Sequence, residues 1–141
     1  MMMNDLIKVL HEGNHSLVVA NNEIRTFDGM GVSDLLWLLR EDSDFLRGAS
    51  VADKIIGKAA AGLMIYGGVK DVYGSTISAP AIELFNENEV TVSFDKKVPY
   101  IINRAGDGWC PMEKACYELQ SVDDIYHAVQ SFVSSVSKNN S

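Results

Sequence analysis

Ser50, Asp53, Lys54 and Lys58 fall within one short stretch, Gly48-Ala-Ser-Val-Ala-Asp-Lys-Ile-Ile-Gly-Lys-Ala-Ala-Ala-Gly-Leu-Met-Ile-Tyr66. Residues of these types can hold an anion or move a proton. A carboxyl such as Asp53 in a cleft can act as acid or base, or can hydrogen-bond a ligand. Two lysines beside a helix start can clamp a phosphate. The spacing of small and apolar residues predicts one buried helix from Ser50 to about Tyr66, closed by Gly67-Gly68. In that helix Ser50 and Asp53 form a variant of the capping box. Asp53 then flanks the buried stripe and faces the end of the sheet. Lys54 and Lys58 point outward, where a solvated, snorkelling lysine is the plain alternative to a clamp.

A second candidate is Asn103-Arg-Ala-Gly-Asp-Gly-Trp-Cys-Pro-Met-Glu-Lys114, a glycine-bearing loop running into a helix at Pro111. Backbone N–H groups at such a start hold phosphate or carboxylate, and Arg104 could add a bidentate contact, with Asn103 beside it. Gly106 and Gly108 have the spacing of neither a P-loop nor a dinucleotide fingerprint, and a tight connecting loop is the plain alternative. Trp109 could stack on a base. Cys110 sits at the expected N-cap, where a helix start favours thiolate and a nucleophilic or redox role. A capping or buried thiol is the plainer reading, with Glu113 closing a capping box of its own. Cys116 belongs to the core. His11, His15 and His127 have no metal-ligand spacing, and two cysteines do not complete a zinc site, so no cofactor is expected.

These groups need a frame. Asp5–Glu12 reads as an amphipathic helix ended by Gly13. Residues 16–20 and 23–27 read as a hairpin turning at Asn21-Asn22, since asparagine tolerates positive φ. Ser33 is expected to cap a helix over 34–40 with Leu35, Leu36, Leu38 and Leu39 on its apolar side. After the long helix come a buried strand over 69–76, a helix from Pro80 to about Asn86, and a strand over 89–94. Residues 95–109 read as mostly irregular, followed by helices from Pro111 to about Leu119 and over 122–138, the latter capped by Ser121. A frayed tail is expected at 137–141. An antiparallel hairpin followed by helical crossovers makes an α/β layered protein with a mixed sheet. A chain of 141 residues without a linker or repeat reads as one domain, 1–141.

Composition narrows the partners. Hydrophobic residues make up 47% and charged residues 22%, values typical of a globular chain, and the net charge of -7 argues against a nucleic-acid polymer. No apolar run is long enough to span a bilayer, and the first residues lack a secretory pattern, so a cytoplasmic location is expected.

The stretch 48–61, Tyr66-Gly-Gly-Val-Lys-Asp-Val-Tyr73, and Pro99-Tyr-Ile-Ile-Asn-Arg with Cys110-Pro-Met-Glu-Lys114 resemble an uncharacterised bacterial and archaeal family labelled a domain of unknown function. That resemblance implies the cytidine-deaminase-like fold, a three-layer α/β/α sandwich. It does not carry zinc chemistry with it. Zinc deaminases place His-x-Glu or Cys-x-Glu at one helix start and Pro-Cys-x-x-Cys at the next. Here Ser50–Asp53 would stand at the first, and Ala81 and Leu84 replace the two thiolates after Pro80. The resemblance also implies that the two helix starts converge on one cleft with Asp53 on its wall.

The leading expectation is a protein that binds a nucleotide or another small phosphate ligand on a zinc-free deaminase-like scaffold. Asp53 would contact ribose or base, and Lys54, Lys58 and Arg104 would neutralise phosphate. One alternative is a metal-free enzyme acting on a nucleotide-type substrate through Asp53 and Cys110. Another is a regulatory or structural protein that binds a partner, a homo-oligomer included.

Overall fold

The computed structural model describes residues 2–29, 32–102, 106 and 108–139. The elements run α1 (Met3–Glu12), β1 (Leu17–Ala20), β2 (Ile24–Phe27), α2 (Ser33–Glu41), α3 (Ser43–Leu46), β3 (Ser50–Ile56), α4 (Lys58–Gly67), β4 (Asp71–Ser78), α5 (Ala79–Glu87), β5 (Thr91–Val98), α6 (Pro111–Cys116) and α7 (Val122–Asn139). The strands form one sheet in the order β2-β1-β3-β4-β5. β2–β1 and β1–β3 pair antiparallel, whereas β3–β4 and β4–β5 pair parallel. The mixed α/β class, opened by a hairpin, is the one expected from the sequence.

The hairpin turns where Asn22 adopts φ 66. Asn21 anchors it by donating from Nδ2 to Phe45 O at 2.9 Å and Arg47 O at 3.0 Å. Side chains alternate across β1 and so divide the core. Val18 and Ala20 meet Leu6 and Leu10 of α1, with Ala52 and Tyr73, on one face. Leu17 and Val19 join the larger core on the other face, with Val51, Leu35, Leu63, Met64, Phe85 and Ile125. Helices therefore lie on both faces, consistent with a three-layer α/β/α sandwich. α4 is the centre of the larger layer. Its Ala59-Ala60-Ala61-Gly62 run lets α7 approach until Ile125 lies where a side chain at Gly62 would be. Its C-terminus closes on Gly68 at φ 88, the left-handed cap that glycine adopts without strain.

The expected helix 50–66 is two elements. Residues 50–56 form β3, flanked by β1 and β4, and the helix begins only at Lys58. Ser50 and Asp53 are therefore strand residues, and they form no capping box. A central strand buried on both faces is a near-continuous apolar run, which periodicity does not separate from a buried helix. β4 begins at Asp71 rather than Val69, and β5 runs on to Val98, so the irregular stretch is shorter than expected. α2 starts at Ser33 itself, with Val32 at the cap position. Ser121 does cap α7, accepting from Asp124 N at 3.4 Å. Residues 140–141 of the expected tail lie outside the described residues.

Candidate functional site

β3 ends beside the first turn of α4, at the point where the sheet changes from antiparallel to parallel pairing. Crevices at the carboxyl ends of strands are where α/β sheets bind ligands. A cavity of about 520 Å³ opens here. Its wall takes Ser16 and Leu17 from β1 and its approach, Val32, Ser33 and Asp34 from the start of α2, and Asp53, Lys54 and Ile55 from β3. Gly57, Ala59 and Ala60 come from the α4 start, Cys110 to Glu113 from α6 and its cap, Phe132 and Val133 from α7, with Ile101 and Gly29 completing it. The lining is mostly apolar, with a few polar groups, the usual make-up of a small-molecule site.

Asp53 is paired across the β1–β3 ladder with Leu17, which places it on the larger-core face, and it is 9% exposed. Its Oδ1 accepts from Ile55 N at 3.3 Å. Burial pushes its carboxyl up to about 7, against the pull of the Ile55 and Lys54 N–H groups and with a further push from the Asp34 charge. Asp34 is itself held by Gly29 N, which donates to its Oδ2 at 2.8 Å.

Glu113 is the second buried carboxyl. Its Oε2 accepts from Lys58 N at 2.8 Å, so it caps the start of α4 from 55 residues away in the chain. It forms no capping box with Cys110, whose side chain makes no cap hydrogen bond. Burial pushes Glu113 up to about 7, outweighing the Lys58 N–H and the Lys58 charge. Gly57 makes the approach possible, because a Cβ there would overlap Glu113 Oε1.

The anion clamp expected of the lysines is not assembled. Lys58 is buried, 7% exposed, rather than outward, and its Nζ donates to Tyr117 O at 2.7 Å. It lines a separate polar hollow with Pro80, Glu83, Glu87 and Glu118. The starts of α4 and α5 thus share that hollow, and Asp53 is not part of it. Lys54 lines the main cavity, but it alternates with Asp53 along β3, and its Nζ turns to the α1 side to donate to Asn14 Oδ1 at 2.6 Å. Ser50 is buried in β3 away from the cavity. Trp109 lines a separate hollow of about 830 Å³ instead, stacked on Tyr100 at 4.8 Å and edge-on to Tyr117. Asn103 and Arg104 lie outside the described residues. Of the expected site residues the structure therefore brings together Asp53, Lys54 and Cys110. It adds Asp34 and Glu113, which the sequence reading did not place there.

Cys110 is half-buried on the cavity wall, while Cys116 is fully buried with its thiol pushed up to about 11, chiefly by burial. Among the described residues no group of three or more His, Cys, Asp or Glu is placed to hold a metal, and no helix is long and apolar enough to cross a membrane.

Residues 5–133 match the family model described as TM1506: Domain of unknown function (DUF1893). Among solved structures, the crystal structure of a DUF1893 family protein (TM1506) from Thermotoga maritima is similar, with 27% identity and a TM-score of 0.85. The likeness covers 92% of this chain and 88% of that one. No curated protein matches the sequence.

Proposed function

The chain belongs to the DUF1893 family, and we propose that its cavity at the end of β3 binds a small organic molecule on a deaminase-like scaffold without zinc. One observation carries this reading: a roughly nucleoside-sized cavity of about 520 Å³ with a nearly unexposed carboxyl, Asp53, on its wall. A carboxyl kept there at the expense of folding stability is better explained by a ligand than by packing. The deaminase-like reading draws support from the hairpin-first mixed sheet and its two helical crossovers. Zinc does not fit the residues present. The start of α4 carries Gly57-Lys58-Ala59 and that of α5 carries Ala79-Pro80-Ala81, with no histidine or thiol at either.

A nucleotide remains within this proposal through its base rather than its phosphate. The α4 N–H group that would meet a phosphate is taken by Glu113, and both lysines are engaged elsewhere. An enzymatic reading is favoured by Cys110 standing on the same wall as two carboxyls that titrate near neutrality, an arrangement suited to proton transfer.

Intact mass of the purified chain, under native and then denaturing conditions, tests the proposal. Extra mass in the native spectrum alone supports a bound small molecule. Extra mass that survives denaturation supports covalent chemistry at Cys110 or Asp53. The bare mass in both, together with a fragment library that moves none of the cavity amides in an NMR spectrum, contradicts the proposal.

A further inference from the structure

We infer that the ligand of this cavity is an organic cation that turns a planar N–H edge toward Asp53: an amidinium, a guanidinium or a protonated amino-heterocycle. The inference rests on the reading of the cavity as a ligand site and adds the ligand's charge.

Three carboxyls reach the wall from three different elements: Asp34 from α2, Asp53 from β3 and Glu113 from α6. The one lysine among the described residues of the wall is Lys54, whose Nζ is bound to Asn14. Among the described residues no ion pair involves any of the three carboxyls. Asp34 and Glu113 each have a 2.8 Å bond from a backbone N–H. Asp53, 9% exposed, has a long one from Ile55 N at 3.3 Å and a weaker pull from Lys54 N. A buried carboxylate without a cation is costly in its charged form, and an entering cation removes that cost. A forked N–H donor matches both carboxylate oxygens. An entering anion gains no such pairing, and it meets more like charge as Asp53 and Glu113 lose their protons. The apolar part of the wall, with Val32, Ile101, Met112 and Phe132, suits a flat ring behind the charged edge.

The groups that face Asp53 set the pH behaviour. Asp34 comes from α2, Lys54 from β3 itself, and Glu113 with Cys110 from α6 and its cap. β1 and its approach contribute Ser16 and Leu17, α4 contributes Ala59 and Ala60, and α7 contributes Phe132 and Val133, none of which carries charge. Asp53 and Glu113 hold protons near neutrality. A cation therefore enters with proton release, and its affinity rises with pH.

Three probes with one ring and different charge test this on the full chain: benzamidine, benzyl alcohol and benzoate, followed through the NMR shifts of the Leu17 and Ile55 amides. Benzamidine is expected to bind about ten-fold more tightly than either of the others, as a charge-assisted pair requires. Its affinity should rise several-fold from pH 6 to pH 8 and fall about ten-fold in Asp53→Asn. Lys54→Met, which removes the one lysine on the described wall, should tighten benzamidine several-fold, and it carries the test should Asp53→Asn not fold. Benzoate or benzyl alcohol binding as tightly as benzamidine, or benzamidine binding independent of pH and of Lys54→Met, overturns the inference while leaving the cavity a ligand site. If none of the probes moves these amides in the folded chain, the inference and the cavity reading fall together.

Discussion

On the α1 face of the sheet, Asp95 of β5 accepts a 2.5 Å hydrogen bond from Tyr73 Oη, which also lies 3.3 Å from Ser75 Oγ and 3.4 Å from His11 Nε2. On the opposite face, Asp53 has only weak backbone donors and, among the described residues, no ion pair. β5 and β3 thus carry carboxyls on opposite faces of the sheet. One is tied into a half-buried polar cluster that supports the packing of α1. The other is set into an apolar wall with spare hydrogen-bonding capacity. Burial of a polar group is inexpensive when its partners come from the chain and costly when they do not. The contrast marks Asp53 as a group whose burial costs stability without a return in packing.

Gly57→Ala breaks the contrast most severely. Its Cβ would displace Glu113 from the α4 start, so a loss of about 3 kcal/mol or more is expected in urea melts. In a Glu113→Ala background the same substitution should cost far less, because the overlapping atoms are gone.

The second effect concerns pH. The folded carboxyls of Asp53 and Glu113 titrate at about 7, above their ordinary values of 3.8 and 4.5. Between those limits the folded chain holds more protons than the unfolded one. Stability from these two groups is therefore full at low pH and falls as pH rises through about 7, by up to about 1.4 kcal/mol per pH unit for each. Asp53→Asn cannot ionise. It should be more stable than the parent at pH 8 by about 2 kcal/mol and nearly equal to it at pH 4. Parallel stability curves for the two proteins across that range would contradict the account.

Tyr73→Phe acts on the other face. It should cost about 1 kcal/mol, the worth of a hydrogen bond to a charged partner in a half-exposed setting, and leave the amides around the cavity unmoved. The smallest effect is that of Lys54→Met on stability, within about 0.5 kcal/mol, since its bond to Asn14 is exposed.

Much of the frame was legible in the sequence because local chemistry specified it. Asn22 could take a left-handed turn, Gly68 could cap a helix, Pro80 could enter a first turn, and Ser121 could accept from α7. The error at 50–66 has the opposite origin. β3 is flanked on both sides and buried on both faces over Ser50–Asp53, so Val51 and Ala52 show no alternation, Ile55 is apolar although exposed, and only Gly57 marks the break. Asp53 was singled out because a carboxyl among small residues stands out in any secondary structure, although its expected helical setting was incorrect. Glu113 was not recognised as a site residue, because its partner, the Lys58 amide, is supplied by the fold from a distant part of the chain. Lys58 looked like a surface lysine for the same reason. Tyr117 O, which takes its ammonium, lies on a helix end that local pattern does not connect to α4.

The most direct test of the account is a titration of the Asp53 side-chain carboxyl, followed by its carbon-13 shift in the folded chain. The account predicts a midpoint near 7, moving downward when benzamidine is added. A midpoint near 3.8, the ordinary value, would mean that water or an unrecognised cation already satisfies Asp53, and the cavity would lose the feature that marks it as a site.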